Sequence, residues 1–148
     1  MAEISRILGS DNDRSLLDVG TGTGFILLKA AALGFKCTGL DMSDGMMNEA
    51  KKHAADLGVD VSFVKSYVEE IPFENETFDI ITNRSLMWTL TEPQKALTEW
   101  KRVLRPGGEI YCFCHISANR GKHNHYEQDI EDILPLKTAL TCPQSSTR

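Results

Sequence analysis

Residues 16–24 read LLDVGTGTG, an apolar run that passes through Asp18 and continues into glycines at positions 20, 22 and 24. Hydrophobic residues followed at once by alternating glycines are typical of a buried strand that ends in a tight turn. Glycine has no Cβ, so the backbone of such a turn can approach a ligand closely. The helix predicted next, over Phe25–Leu33, directs its N-terminal amides toward the same place. We therefore expect a ligand-binding turn at the end of the first strand.

An acidic residue on the next strand completes this pattern. A second apolar run, over Phe35–Leu40, ends at Asp41, and a carboxylate placed about 20 residues after a glycine turn accepts hydrogen bonds from ribose hydroxyls. The two features together predict a nucleoside site. A phosphate-binding P-loop is disfavoured, because Gly24 is followed by Phe25 where that motif requires lysine. A dinucleotide fingerprint is disfavoured too, since Phe25 stands in place of its third glycine.

Strand and helix patterns alternate along the chain, which predicts an α/β fold with an open, mostly parallel sheet and helices on both faces. The predicted strands are Ser15–Val19, Phe35–Leu40, Val61–Lys65, Phe78–Thr82 and Glu109–His115. Ser43 and Gly58 are predicted to begin and end one helix. Thr91 is predicted to cap another, ahead of Pro93. Pro106-Gly107-Gly108 is predicted to be the turn into the fifth strand.

Length and charge limit the classes of protein. The chain has 148 residues and a formal net charge of -5, so we expect one domain, with 1–14 a short N-terminal segment and 117–148 an irregular C-terminal tail. An acidic chain lacks the basic face that is typical of nucleic-acid binding. No apolar run is long enough to span a membrane, and the N-terminus lacks the apolar core of a signal peptide. These features predict a cytoplasmic protein that binds neither nucleic acid nor membrane.

The cysteines favour a reducing environment over a disulfide framework. Three of the four cysteines fall in or beside predicted buried strands, where reduced thiols are expected. A metal site is an alternative for Cys112-x-Cys114-His115 with His123-x-His125, but the cysteine spacing is not the one typical of zinc. We predict no metal.

The pattern Asp18-x-Gly20-x-Gly22-x-Gly24 resembles the first motif of class I S-adenosylmethionine-dependent methyltransferases. Three further stretches resemble later motifs of that family in the same order: Asp41-Met42-Ser43, Glu70-Ile71-Pro72-Phe73 with Phe78-Asp79-Ile80-Ile81, and Trp100-Lys101-Arg102-Val103-Leu104-Arg105-Pro106-Gly107-Gly108. The likeness extends over Ser15–His115 and is greatest to the type 11 group of small-molecule and cofactor methyltransferases.

The resemblance implies a Rossmann-like sheet of order 3-2-1-4-5, with the ligand crevice at the carboxyl ends of strands one and four. It implies S-adenosylmethionine as cofactor and S-adenosylhomocysteine as product. The residues that it places at the cofactor are Asp18, Gly20, Thr21, Gly22, Gly24, Asp41, Met42, Tyr67, Val68 and Asn83. Asp18 would face the methionyl end, Asp41 the ribose and Met42 the adenine. The residues alone leave open that Asp18 only caps the loop and that Asp41 only caps the next helix.

The chain departs from the family at the third motif. The acidic residue that the family directs at the adenine amine is replaced by Tyr67, which would stack beside the adenine, bond through its phenol, or support the sheet end as a half-buried aromatic. The stretch Asn83-Arg84-Ser85-Leu86 is not the Asn-Pro-Pro-Tyr signature of enzymes that methylate DNA bases or glutamine, so those substrates are disfavoured. Trp88 either walls the acceptor pocket or packs beneath the next helix.

The implied function is transfer of a methyl group to a small-molecule acceptor, with the rate supplied mainly by orientation of the reactants. No catalytic residue is identified. His115 is the candidate base, and an ordinary strand-end histidine is the alternative. Two hypotheses from other classes remain: an NAD-dependent oxidoreductase, and a non-catalytic cofactor-binding or interaction subunit.

Members of the family continue past strand five through two further strands, which this chain is expected to lack. Strand five would then be an edge with unpaired backbone groups. We expect this edge to be covered in one of two ways. Either the segment Tyr126–Leu136 folds over it, or two copies of the chain pair there as a homodimer.

Overall fold

The computed structural model describes residues 8, 13–84, 90–113 and 138–141. Its elements, in chain order, are β1 (Ser15–Val19), α1 (Phe25–Ala32), β2 (Lys36–Asp41), α2 (Asp44–Leu57), β3 (Ser62–Lys65), β4 (Phe78–Arg84), α3 (Pro93–Val103), β5 (Leu104–Phe113) and β6 (Thr138–Thr141). Helices connect β1 to β2, β2 to β3 and β4 to β5, which is the alternation that the sequence predicts.

The strands form one sheet of order β3-β2-β1-β4-β5-β6, and every neighbouring pair is parallel. The predicted order 3-2-1-4-5 is confirmed. From β1 the chain passes first to β2 and β3 on one side, and then to β4 and β5 on the other. The strand order therefore reverses beside β1, and ligands of such sheets bind outside the carboxyl ends of the strands at this point.

β5 is not an edge strand. Its last residues, 110–113, pair in parallel register with Thr138–Thr141, so a strand of the same chain covers their backbone groups. The prediction of an exposed strand-five edge is wrong, and residues 138–141 of the predicted irregular tail form a strand. The ground for a homodimer through that edge is thereby removed. The segment Tyr126–Leu136, which we expected to cover the edge, lies outside the described residues.

β5 begins earlier than its sequence suggests. Leu104 pairs with Phe78 and Glu109 pairs with Ile80, so β5 advances from 104 to 109 while β4 advances from 78 to 80. The additional residues of β5 form a bulge. Gly107, with a φ of 81°, allows the local bend. The Pro106-Gly107-Gly108 stretch therefore bends the strand from within, and the prediction of a separate turn before the strand is wrong.

The helix ends show which caps the sequence predicts correctly. Ser43 Oγ accepts a hydrogen bond from Met46 N–H at 3.3 Å, and Gly58 ends α2 with a φ of 68°. Both ends of α2 are as predicted. The N-cap of α3 is Glu92 and not Thr91. Pro93 sets this start, because its fixed φ suits the first helical position and its missing N–H costs nothing there.

Apolar side chains fill the space on both faces of the sheet. On one face, α1 packs against the strands through a cluster that includes Leu16, Ile26, Leu27, Ala30 and Ile80. On the other face, α3 packs through a cluster that includes Leu17, Val19, Ile81, Leu97 and Trp100. Successive strand residues point to opposite faces, so Leu16 and Leu17 belong to different clusters. Helices on both faces of the sheet are therefore confirmed.

Two of the cysteines can be assessed in the structure. Cys37 and Cys112 are buried free thiols, and burial raises the pKa of Cys37 to about 12 and that of Cys112 to about 11. Both therefore stay protonated and unreactive at neutral pH. The other residues of the metal alternative, Cys114, His115, His123 and His125, lie outside the described residues.

Within the part of the chain that the structure describes, no helix combines the length and the apolar character needed to cross a bilayer. The location of the protein in the cell stays a prediction.

Candidate functional site

Asp18 lies at the end of β1 and is almost completely buried, with 3% of its surface exposed. Thr21 Oγ1 donates to Asp18 Oδ2 at 2.8 Å, and Thr82 Oγ1 donates to Asp18 Oδ1 at 2.8 Å. Thr82 is the register partner of Asp18 on the neighbouring β4. The Asp18 carboxylate therefore joins the glycine turn to the central pair of strands.

The surroundings of Asp18 disfavour its charged form. Burial raises the pKa of Asp18 from 3.8 to about 6; the hydroxyls of Thr21 and Thr82 lower it, and the Asp41 carboxylate adds a small increase. Desolvation outweighs the two hydrogen bonds. Asp18 is thus mostly ionised at neutral pH, at a cost in stability that a nearby cation would reduce.

The three glycines of the turn all have left-handed backbone conformations, with φ values of 65° at Gly20, 57° at Gly22 and 87° at Gly24. Other residues adopt this region only at a cost. A Cβ added at Gly22 would meet no atom within 4 Å, whereas a Cβ at Gly24 would lie 3.2 Å from Ala50 Cβ. Gly24 thus allows close packing of helix α2, while the space beside Gly22 is open.

Asp41 connects the turn to β2. Gly22 N–H donates to Asp41 Oδ2 at 2.8 Å, and Ser43 N–H donates to Asp41 Oδ1 at 2.9 Å. A backbone bond from Thr21 N–H to the Leu40 carbonyl, at 3.0 Å, holds the same two segments together. Since Ser43 provides the side-chain cap of α2, Asp41 does more than cap that helix. It fixes the position of the glycine turn.

Gly39 provides a test of how tightly the turn is packed. A Cβ at Gly39 would lie 2.8 Å from Leu27 Cδ2 and 3.0 Å from Thr21 Cγ2, and both of these residues are buried. We expect Gly39→Ala to lower the free energy of unfolding by about 1 to 3 kcal/mol through overpacking. Urea denaturation measures the change.

The matched control is Gly45→Ala. Gly45 is exposed on α2, where a Cβ would meet only Ser43 Oγ at 3.9 Å. Alanine is the better helix former, so this variant should be as stable as the parent or more stable. A Gly39→Ala protein with unchanged stability would contradict the packing seen around Thr21.

The other predicted contacts follow β2 and β3. Met42 comes directly after Asp41 and is 41% exposed, and Tyr67 follows β3 and is 58% exposed. Val68 is partly buried against the α3 cluster, and its carbonyl accepts a hydrogen bond from Trp100 Nε1 at 3.1 Å. The exposure of Tyr67 does not separate its predicted place at the adenine from the alternative of a half-buried aromatic at the sheet end, so both stay predictions.

Asn83, near the end of β4, is buried, with 1% of its surface exposed. Its Nδ2 donates to Cys112 Sγ at 3.1 Å. Its Oδ1 is the one buried side-chain oxygen or nitrogen in the described part of the chain that has no hydrogen-bond partner. A buried acceptor without a donor costs about 1 to 3 kcal/mol. Groups of this kind are often found where a ligand or water supplies the missing bond.

The first turn of α1 contacts the end of β4 through Phe25. Lys29 Nζ lies 3.6 Å from the centre of the Phe25 ring, and Arg84 Cζ lies 4.1 Å from it. Burial lowers the pKa of Lys29, and the charge of Arg84 lowers it further. The glycine turn therefore has positive charges on the side of Phe25 and carboxylates on the side of Asp41.

The structure brings Asp18, Asp41 and the glycine turn together through hydrogen bonds. The other predicted residues, Met42, Tyr67 and Asn83, lie at or just after the carboxyl ends of β2, β3 and β4. His115, Ser85 and Trp88 lie outside the described residues. Thr82 is not among the predicted site residues. Its signal was a hydroxyl directly after the apolar pair Ile80-Ile81, but only the register with Asp18 gives that signal meaning.

Comparison with known proteins agrees with this geometry. Residues 17–112 match the family model described as a methyltransferase domain. A protein of Colwellia psychrerythraea named ubiquinone biosynthesis O-methyltransferase is 34% identical over 100 residues, which make up 67% of this chain and 41% of that protein. The chain thus spans less than half the length of the first curated relatives that it matches.

Solved structures show the same fold. A SAM-dependent methyltransferase of Aquifex aeolicus has a TM-score of 0.75 and 27% identity, with 89% of this chain and 77% of that chain covered. The [4+2]-cyclase SpnF has a TM-score of 0.66 and 29% identity, with 72% of this chain and 40% of that chain covered. A shared fold therefore does not by itself determine the reaction. The sequence match, the strand order and the glycine turn all agree. The chain therefore belongs to the methyltransferase domain family, which is the S-adenosylmethionine-dependent class that its sequence motifs predict.

Proposed function

We propose that this chain binds S-adenosylmethionine outside the carboxyl ends of β1, β2 and β4 and transfers its methyl group to a small-molecule acceptor. The observation that carries the proposal is the 2.8 Å hydrogen bond from Gly22 N–H to the Asp41 carboxylate. It joins the two most informative features of the sequence, the glycine turn and the acidic residue, into one site. Family membership over residues 17–112 supports the same conclusion.

The residues around Asp41 fit a nucleoside. Each Asp41 oxygen accepts one N–H, and a carboxylate offers about four acceptor positions. Both oxygens can therefore also accept hydrogen bonds from the two hydroxyls of a ribose. The open space beside Gly22 leaves room for the ligand against the backbone of the turn.

The hydrogen-bond acceptors Asp18 on β1 and Asn83 on β4 fit the methionyl half of the cofactor. The methionyl part of S-adenosylmethionine carries a sulfonium and an ammonium cation, and the buried Asp18 carboxylate favours positive charge nearby. Asn83 Oδ1 lacks a donor, and an ammonium group is a strong one. In this proposal Asp18 stabilises the cationic end of the cofactor and Asn83 accepts from its ammonium group.

When bound, S-adenosylmethionine supplies an electrophilic methyl group, which a lone pair of the acceptor takes as the carbon–sulfur bond breaks, leaving S-adenosylhomocysteine. The protein's contribution is to hold the cofactor in one orientation and to position the acceptor in line, which is worth up to about 7 to 11 kcal/mol in favourable systems. Of the four histidines of the chain, His53 is the one that lies among the described residues. It is exposed on α2, with Nδ1 3.4 Å from the Thr23 carbonyl.

We propose an oxygen nucleophile as the first acceptor class to test. The support is the name of the Colwellia psychrerythraea relative, an O-methyltransferase. A protein that binds the cofactor but transfers no methyl group to any acceptor would instead favour a non-catalytic subunit or another reaction on the same fold. The fold of the SpnF cyclase makes the second of these a real alternative.

Substitution of Asp41 tests the cofactor site. We expect Asp41→Ala to weaken the binding of S-adenosylhomocysteine by about 1 to 3 kcal/mol, because a charge-assisted contact to the ribose is lost. Isothermal titration calorimetry measures this change, and S-adenosylhomocysteine avoids turnover during the titration. The variant also loses the hydrogen bonds that Asp41 accepts from Gly22 and Ser43. A urea denaturation in parallel measures how far this loss destabilises the protein, so that the change in affinity can be corrected for it.

The control is Asp56→Ala, which removes the same charge from an exposed position on α2. It should leave the affinity unchanged. A parent protein that gives no heat with S-adenosylhomocysteine but binds NAD would refute the proposal in favour of the oxidoreductase. An unchanged affinity of a folded Asp41→Ala protein would refute the role of Asp41.

A further inference from the structure

Two cationic side chains converge on an exposed phenylalanine beside the glycine turn. Phe25 is the first residue of α1, and 43% of its surface is exposed. Lys29 lies one turn further along the same face of the helix, with Nζ 3.6 Å from the centre of the Phe25 ring. Arg84 reaches the same ring from β4, with Cζ 4.1 Å from its centre. The two charged groups are therefore less than about 8 Å apart, close enough to repel each other.

Holding these two cations together has an electrostatic cost. Burial lowers the pKa of Lys29, and the charge of Arg84 lowers it further. The attraction of each cation to the face of the Phe25 ring offsets part of the repulsion. A negative group placed against both side chains would add two favourable charge contacts and screen the cations from each other. The arrangement is therefore suited to a carboxylate or a phosphate.

β4 places Arg84 at the opening of the cofactor crevice. The last residue of β4 that pairs with β1 is Thr82, opposite Asp18, and the strand continues to Arg84. Alternate residues of a strand lie on the same face of the sheet. Arg84 is thus on the face of Thr82 and Asp18, about 6 to 7 Å further along the strand. It borders the space outside the carboxyl end of β1.

The methyl acceptor has to enter the same space. In the proposed mode of binding, the ribose lies at Asp41 and the methionyl ammonium group at Asn83, so the sulfonium and its methyl group lie between them. Asp41 and β2 bound this space on one side. Phe25 and Arg84 bound it on the other, from α1 and β4. We therefore expect the acceptor to approach along the side of Phe25 and Arg84.

The cofactor carries a carboxylate of its own, which the start of α1 can bind without these two cations. The N-cap of α1 is Gly24, which has no side chain to cap the helix, and the first turn contains no acidic residue. The N-terminal amides of this helix therefore favour a negative group. Lys29 lies in the second turn and Arg84 lies on β4. Their charges are thus additional to those amides and suit a second anion.

Resting on the proposed function, we propose that Lys29 and Arg84 bind a negatively charged group of the methyl acceptor, and that the exposed part of the Phe25 ring contacts its apolar portion. The acceptor class is then an acidic one, represented by a phenol that also carries a carboxylate. A neutral analogue of the same shape lacks the contact with the two cations and binds more weakly. Lys29 and Arg84 are the specificity-determining residues in this assignment.

The test compares a phenolic acid with its neutral amide, 4-hydroxyphenylacetate with 4-hydroxyphenylacetamide, on the full chain saturated with S-adenosylhomocysteine. Titrations followed by NMR measure the two dissociation constants. We expect the acid to bind at least about fivefold more tightly than the amide, because only the acid pairs with the two cations. The double variant Lys29→Gln with Arg84→Gln should bring the ratio of the two constants to about one, since both charges are lost.

Two control variants accompany the double variant. Arg84→Lys keeps the charge at this position and should retain most of the preference for the acid. Lys36→Gln removes an exposed charge at the amino end of β2, which is the opposite end of the sheet, and should leave both dissociation constants unchanged. All variants should bind S-adenosylhomocysteine like the parent protein, because its carboxylate is assigned to the amides of α1.

The possible outcomes separate this inference from the proposed function. If neither probe binds, if the acid and the amide bind equally, or if the double variant keeps the preference for the acid, the inference fails and the proposed function stands. A double variant that loses affinity for S-adenosylhomocysteine and keeps the preference would show that the cations hold the carboxylate of the cofactor instead. If S-adenosylhomocysteine does not bind the parent protein, the proposed function fails and the inference fails with it.

Discussion

Replacing Trp100 by alanine is expected to destabilise the protein by about 3 to 5 kcal/mol, which is a large part of the total stability of a typical domain. The Trp100 side chain is completely buried within the α3 cluster. Its removal leaves a cavity between α3 and the sheet that small movements cannot fill. Urea denaturation followed by far-ultraviolet circular dichroism measures the loss without relying on tryptophan fluorescence.

The variant Trp100→Phe separates the volume of the ring from its hydrogen bond. Phenylalanine fills much of the space but leaves the Val68 carbonyl without the bond from Nε1, so we expect a smaller loss of about 1 to 3 kcal/mol. Because Val68 directly follows Tyr67, Trp100→Phe should also weaken nucleoside binding by loosening that loop. Trp100→Ala with less than about 1 kcal/mol of destabilisation would show that α3 does not depend on this residue.

Substitution of Asp18 by asparagine is expected to make the protein more stable and to weaken its binding of S-adenosylmethionine. Burial raises the pKa of Asp18 from 3.8 to about 6, so the folded state holds this proton more tightly than the unfolded chain does. The free energy of unfolding therefore decreases as the pH rises through the interval between these values, by about 3 kcal/mol in total for this group. Above that interval the cost of the buried charge is fully present.

Asparagine at this position has nearly the same shape and does not titrate. The stability of Asp18→Asn relative to the parent should thus increase by about 2 to 3 kcal/mol between about pH 4 and about pH 7. The difference between the two proteins is the quantity to measure, because Asp79 and Glu99 have lowered pKa values and act in the opposite direction in both. A difference that does not vary with pH would contradict the raised pKa.

Affinity provides the second readout of Asp18→Asn. If Asp18 stabilises the cationic end of the cofactor, the variant should bind S-adenosylmethionine less tightly by about 1 to 3 kcal/mol. S-adenosylhomocysteine lacks the sulfonium charge, so its affinity should decrease less. Equal losses for both ligands would indicate that Asp18 acts only through the shape of the turn.

Local patterns predicted most of the fold. The helix over Phe25–Ala32, the caps Ser43 and Gly58, and the first four strands lie within about two residues of their predicted bounds. The misses are also local in origin. Thr91 and Glu92 are both acceptable before Pro93, and the glycines after Pro106 suit a bulge as well as a turn. Sequence spacing alone does not distinguish these outcomes.

The amino-acid sequence by itself determined the order of strands and helices along the chain and the pairing of a glycine turn with Asp41. Hydrophobic period and the placement of glycines and acids act over a few residues or one connection, which is why they can be read locally. Only the tertiary structure decided which groups meet across the sheet. Thr82, 64 residues from Asp18, reaches its carboxylate through strand register. Burial then sets the raised pKa of Asp18 and leaves Asn83 Oδ1 without a donor. The pairing of β6 with β5 likewise joins segments that are far apart in the sequence. Strand register and desolvation both depend on such contacts, and local sequence patterns do not specify them.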